Sequence, residues 1–161
     1  LLLDFEGSIQ IKLDSNKIVF FIGSSILISK LIDGNFPDYK RVIPNDNNNI
    51  LKVNRQKLSL AVDRVSTITN EKSPVIKFKL LKDIINLSSV NNENGTATED
   101  LETQYAGSEI QIGFNSKYIL DMINNLEDEE ITLSFKDSSS PVIGTEDSNN
   151  NLIYVLMPMR V

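Results

Sequence analysis

The sequence predicts an α+β domain made from two copies of one β-α-β-β-β unit, forming antiparallel sheets with two helices on one side. Two observations carry this. The first is a helical stripe that occurs twice: Leu58, Ala61, Val62 and Val65 fall at i, i+3, i+4 and i+7, and so do Ile119, Met122, Ile123 and Leu126. The differences 119 − 58, 122 − 61, 123 − 62 and 126 − 65 all equal 61. The second is that an N-cap asparagine opens each stripe, Asn54 and Asn115, at the same offset. A supersecondary unit repeated at fixed spacing is the mark of assembly by stacking.

Taken in order, residues 1–5 read as the last turn of a helix, and Gly7 breaks it. Ser8–Leu13 alternates Ile9, Ile11 and Leu13 against Gln10 and Lys12, the period-two pattern of a half-buried strand. The turn cluster Asp14-Ser15-Asn16 leads to a second strand, Lys17–Ile22. Gly23-Ser24-Ser25 turns the chain into a third, Ile26–Ile32, closed by Asp33-Gly34. A helix end followed by three strands is the second half of the same unit.

A proline-framed segment follows, Asn35–Pro44, and then Asn45-Asp46-Asn47-Asn48-Asn49, a polar linker where a domain boundary is expected. Strand Ile50–Val53 precedes the first helix; Val75–Leu81, Ile84–Val90 and Thr98–Ala106 follow it. Strand Glu109–Phe114 precedes the second helix; Ile131–Phe135, Val142–Glu146 and Leu152–Met157 follow that one. The expected domain has two helices and eight strands. The start at Leu1-Leu2-Leu3-Asp4-Phe5 lacks an initiator Met, so the chain is expected to be a fragment.

Composition narrows the chemistry. With 40% hydrophobic and 24% charged residues the chain has the make-up of a soluble globular protein. No apolar run nears the roughly 20 residues of a membrane span, and no secretory signal opens the chain, so a cytoplasmic, membrane-free protein is expected. The absence of cysteine removes disulfides, thiolate catalysis and Cys-ligated metals. The absence of histidine removes the commonest metal ligand and general base. No Gly-x-Gly occurs. Asp147–Asn151 resembles the start of a calcium loop but has Leu152 and Pro158 where such a loop needs Gly and Glu. No metal, cofactor or catalytic group is expected.

Two other function classes stay open on residues alone. Glu127-Asp128-Glu129-Glu130 supplies paired carboxylates for a hydrolase on a β-rich fold. The sequons at Asn86 and Asn94 suit a secreted adhesion module. The net charge of −6 argues against gripping nucleic acid over the whole surface, yet Arg55, Lys57 and Arg64 on the first helix and Lys117 on the second offer a local basic face. The end of the chain, Tyr154–Val161, reads as an apolar strand stopped at Pro158, then a flexible surface tail of the methionine-rich kind that suits adaptable partner binding.

Four segments together carry a resemblance. Leu31–Pro44, Thr69-Asn70-Glu71-Lys72, Ile112–Asn115 with Tyr118, and Tyr154–Val161 resemble the bacterial DNA polymerase III beta subunits, the sliding clamps, in order and spacing across all 161 residues. The resemblance implies a DNA-clamp fold, with residues 1–44 as the end of a middle domain plus interdomain segment and 45–161 as a complete third domain. It implies a non-enzymatic replication processivity factor. Such a factor forms a head-to-tail homodimeric ring around duplex DNA, and it tethers the replicative polymerase, the clamp loader and other partners that carry a clamp-binding motif. The implied peptide pocket comprises Pro37, Arg41, Val42, Asn115, Tyr118, Val155, Leu156, Met157, Pro158, Met159, Arg160 and Val161. Arg55, Lys57, Arg64 and Lys117 would face DNA, and Thr67, Ile68, Glu99 and Asp100 would meet the other subunit.

Overall fold

The computed structural model describes residues 7–70, 74–149 and 151–160. The expected helix end at residues 1–5, Glu71 and Lys72 of the quoted motif, and Val161 lie outside these. The chain divides into two compact units, Leu1–Asp38 and Tyr39–Val161.

The first unit is an antiparallel meander of β1 (Ile9–Leu13), β2 (Lys17–Ile22) and β3 (Ser25–Lys30). Gly23, at φ 57°, makes the β2–β3 turn in a conformation that glycine adopts without penalty. The register puts Ile11 beside Phe20 and Phe20 beside Leu27, so one face is apolar. Only Ile22 is buried among the described residues of this unit. β1 is therefore exposed on both faces rather than half-buried as its alternation suggests.

The second unit starts with a single 3-10 turn, Tyr39–Arg41. β4 (Asn49–Asn54) leads into α1 (Arg55–Ser66), and β5 (Val75–Leu81), β6 (Ile84–Asn91), β7 (Gly95–Glu102) and β8 (Gln104–Tyr105) follow. The second repeat runs β9 (Ile110–Asn115), α2 (Ser116–Asn124), β10 (Glu130–Phe135), β11 (Val142–Thr145) and β12 (Tyr154–Leu156). The expected strand Thr98–Ala106 is thus two strands, giving nine among the described residues in place of eight. The break is at Thr103, whose N–H donates to the Asp83 carbonyl at 3.0 Å while the Asp83 N–H donates to the Tyr105 carbonyl at 2.9 Å. Asp83 holds a left-handed φ of 57°, which the short polar Asp side chain tolerates.

The two repeats exchange their leading strands. One sheet has the order β12-β11-β10-β4-β8 and the other β7-β6-β5-β9, so each repeat's first strand lies in the sheet built by the other. Asn54 stands opposite Glu130 at one exchange, and Asn115 opposite Val75 at the other.

Both helices start the same way. The Asn54 side chain accepts from the Lys57 N–H at 3.0 Å, and the Asn115 side chain accepts from the Lys117 N–H at 3.0 Å. The N–H of the first helical residue is taken by the other repeat: Arg55 donates to Glu129 O and Ser116 to Pro74 O, each at 2.8 Å. These contacts satisfy donors that a helix start leaves without an internal partner. The predicted stripes are buried, and Leu126 is buried although it lies past the end of α2. The helices pack on each other and on the sheets, with Phe78 of β5 and Phe114 of β9 edge-to-face at 5.2 Å.

The asparagine-rich stretch is no free linker. The Asn47 amide donates to Ser134 O at 2.8 Å and Pro141 O at 2.9 Å, and the Asn49 amide donates to Lys136 O at 3.1 Å. The Ser108 N–H donates to the Asn49 side chain at 3.1 Å, and Asp46 pairs with Lys136 at 2.6 Å. These residues strap the start of the second unit across its first sheet, so the division falls ahead of them.

The tail beyond β12 is also fastened. Met159 forms an antiparallel bridge with Gly113 of β9, its N–H donating to the Gly113 carbonyl at 2.8 Å. Pro158 and Met159 are half-buried, and Met157 is exposed. The expectation of a loose surface tail is thereby corrected for Pro158–Met159.

Candidate functional site

The expected pocket residues fall into separate groups. Val42, from the segment after the 3-10 turn, and Val155 of β12 line one cavity of about 480 Å³ with Tyr39, Ile43, Asn151 and Ile153. Pro158, Met159 and Arg160 line a different one, about 590 Å³, with Gln111, Ser138 and Ser139. Leu156 is buried in the core, and Met157 and Tyr118 are exposed. The Asn115 side chain oxygen is engaged as a helix cap. Arg41 is exposed in the 3-10 turn, and Pro37 belongs to the first unit.

Tyr39, Ile43 and Ile153 were missed as pocket residues, although signals for them exist. Ile153 and Val155 are two apart on an extended segment, so both point to one side. Tyr39 and Ile43 flank Arg41 and Val42 within the proline-framed segment. The 480 Å³ cavity is lined by apolar and aromatic side chains with one amide, a lining suited to anchoring apolar side chains of a peptide.

The helix cations differ among themselves. Arg55 is tied down: its Nε donates to Asp128 O at 2.9 Å and its Nη1 to Ile123 O at 3.5 Å, joining the start of α1 to the end of α2. Arg64 Nε donates to Glu99 Oε2 at 3.0 Å, and Nη2 to the other carboxylate oxygen. This pair of hydrogen bonds raises the Arg64 pKa and lowers that of Glu99. Lys57 and Lys117 are exposed and make no ion pair among the described residues. Asp63 and Asp121 are exposed on the same two helices, so four cations stand against two carboxylates and the helices are mildly rather than strongly basic.

The expected subunit-contact residues are likewise divided. Thr67 caps α1, its hydroxyl donating to Arg64 O at 2.8 Å, and Ile68 after it is half-buried. Glu99 and Asp100 are neighbours on β7 and so point to opposite faces. Glu99 reaches α1, whereas Asp100 accepts from the Asn86 amide at 2.6 Å.

The carboxylates of the acidic run are dispersed. The N–H groups of Glu127 and Asp128 donate to the buried Glu146 carboxylate at 2.6 and 3.0 Å. Glu129 meets the Asn54 amide, and Glu130 meets Gln104. Asp128 has a lowered pKa because the Ser148 side chain and backbone bond it. Of the two sequons, Asn86 has its amide engaged within the sheet.

Two β-α-β-β-β units with exchanged first strands, paired helices and an apolar edge cavity define a clamp-type domain. Residues 40–160 match the family model described as DNA polymerase III beta subunit, C-terminal domain. The chain is 39% identical over 154 residues to the beta sliding clamp of Caulobacter vibrioides, covering 96% of this chain and 41% of that protein. It is 33% identical over 156 residues to the beta sliding clamp of Escherichia coli, covering 97% of this chain and 43% of that protein. A solved sliding clamp (DNA polymerase III subunit beta) from Bartonella birtlesii, bound to griselimycin, superposes with a TM-score of 0.89 at 40% identity, over 99% of this chain and 43% of that one. This chain belongs to the DNA polymerase III beta subunit family, and it spans about two-fifths of the length of the curated relatives it matches. The hydrolase and adhesion alternatives find no support in these relatives.

Proposed function

We propose that this chain is part of a replication sliding clamp, a cytoplasmic, non-catalytic ring that encircles duplex DNA as a homodimer. The ring tethers the replicative polymerase, the clamp loader and other partners by a short peptide of each. Family membership supports the clamp reading. The observation that carries the tethering role is the cavity where Val42 and Val155 meet, from segments separated by most of the second unit. Its apolar wall suits the leucine and phenylalanine side chains of a Gln-Leu-x-Leu-Phe peptide, and Arg160 and Met157 lie on the segment that continues from it.

Titration of that labelled peptide against the chain and a Val42→Glu variant tests this. Val42 is 46% exposed, so the substitution leaves the fold in place while putting a charge in the cavity. Affinity is expected to fall about tenfold or more, the loss typical of an interface anchor. Equal binding by both proteins overturns the cavity as the docking site.

A further inference from the structure

We propose that Asn94 is a self-modifying site: its side-chain amide is lost to attack by the Gly95 backbone nitrogen, which leaves aspartate or isoaspartate at position 94. Asn94-Gly95 is the one Asn-Gly pair in the sequence. The reaction needs an exposed amide that no partner holds, a following nitrogen within open reach, and a segment that can open. Asn94 is exposed, and its side chain makes no hydrogen bond among the described residues. The side chains of Asn47, Asn49, Asn54 and Asn86 are all engaged. The loop is held by its backbone instead: Asn91 Oδ1 accepts from the N–H groups of Glu93 at 2.9 Å and Asn94 at 3.2 Å.

Gly95 has no side chain to shield its nitrogen. Chain neighbours aside, nothing lies within 4 Å of where a Cβ would stand, and the left-handed φ of 93° suits glycine. Gly95 also makes the last pair of the β6–β7 ladder, with Asn91, so fraying of a single end pair frees the nitrogen. Asn16, Asn92 and Asn151 are exposed too, but Lys17, Glu93 and Leu152 follow them, and those side chains crowd the corresponding nitrogen.

In the reaction the Gly95 nitrogen gives up its proton and bonds to Asn94 Cγ. The Cγ–Nδ2 bond breaks, and that nitrogen leaves as ammonia. Water then opens the cyclic imide at either carbonyl, giving the two isomers. An amino group has been exchanged for a hydroxyl, and the new carboxyl is ionised at neutral pH. Each event adds one negative charge beside Glu93, at the start of a strand that already carries Glu99, Asp100 and Glu102.

The test is incubation of the whole chain in mildly alkaline buffer, then peptide mapping by mass spectrometry with fragmentation that separates aspartate from isoaspartate. Position 94 is expected to convert at least about tenfold faster than Asn16, Asn92 or Asn151, a barrier lower by about 1.4 kcal/mol. Both isomers are expected, and the folded rate should lie within about tenfold of that in urea, because fraying ends open at little cost. Asn94→Gln, whose imide would need a larger and slower-closing ring, should remove the acidic isoform on ion exchange, and Asn92→Gln should leave it. An Asn94 amide that survives as long as that of Asn92, aspartate without isoaspartate, or conversion seen only in urea overturns the assignment.

Discussion

The Met159 N–H donates to the Gly113 carbonyl at 2.8 Å, and this bond has a counterpart in the first repeat. There Gln104 of β8 pairs with Lys52 of β4, and 52 + 61 = 113. In each repeat the chain, after its last long strand, turns back to pair with the strand that began that repeat. Met159 is therefore a strand corner of the duplicated domain. Met159→Pro removes the donor and is expected to cost about 1–2 kcal/mol, whereas Met159→Leu keeps it and costs less than about 1 kcal/mol. Urea unfolding midpoints decide this, and equal midpoints for the two variants count against the corner.

The paired N-caps give a matched test. Asn54→Ala and Asn115→Ala are each expected to destabilise by about 1 kcal/mol, and Asn115→Asp by much less, because the carboxylate still accepts and favours the helix start. Thermal denaturation showing no loss in either alanine variant contradicts the capping role.

Glu146 is buried and its carboxylate takes the N–H groups of Glu127 and Asp128. Glu146→Ala leaves two donors with no acceptor and is expected to cost about 1–3 kcal/mol, while Glu146→Gln retains an acceptor and costs less. Chemical denaturation that ranks the two variants equally rules out this account.

Asp137 supplies a pH signature. The N–H groups of Ser139 and Ser140 and the Ser140 hydroxyl hold its pKa down to about 2 from 3.8. A depressed folded-state pKa means that its contribution is complete above pH 3.8 and is lost as pH falls through about 2. Asp137→Asn is expected to flatten the acid limb of the stability profile in that window and to leave the slope near neutrality unchanged. An acid limb identical to wild type refutes it.

Much of the fold was legible because the repeat writes its helices twice. The same spacing located Asn54 and Asn115, both stripes and most strand centres. What lay beyond reach depends on partners distant in sequence. The exchange of β4 and β9 rests on pairings such as Asn54 with Glu130, which no local period encodes. The break at Thr103 is set by the left-handed turn residue Asp83. Asn47 and Asn49 read as linker because asparagine serves loops and straps equally well, and only the carbonyls of Ser134, Pro141 and Lys136 distinguish the two. Of the cavity, Val42 and Val155 came from the resemblance, whereas Tyr39, Ile43, Asn151 and Ile153 did not. The Arg64–Glu99 pair joins residues 35 apart, so each was assigned a separate role.

The exchanged strands make each half of the second unit hostage to the other. A polypeptide cut between Ala106 and Glu109 yields two pieces, and each carries the strand that its partner's sheet lacks. Neither piece is expected to fold alone, yet the two together should reassemble as a non-covalent pair, visible as recovery of far-ultraviolet circular dichroism on mixing. The same interlock rests on the pairings of β4 with β10 and of β5 with β9, which join strands far apart in sequence, so the domain is expected to gain its structure late and all at once, in the slow regime set by long loop closures. A single stable half, or a fast early-folding one, would show that duplication had left two independent modules.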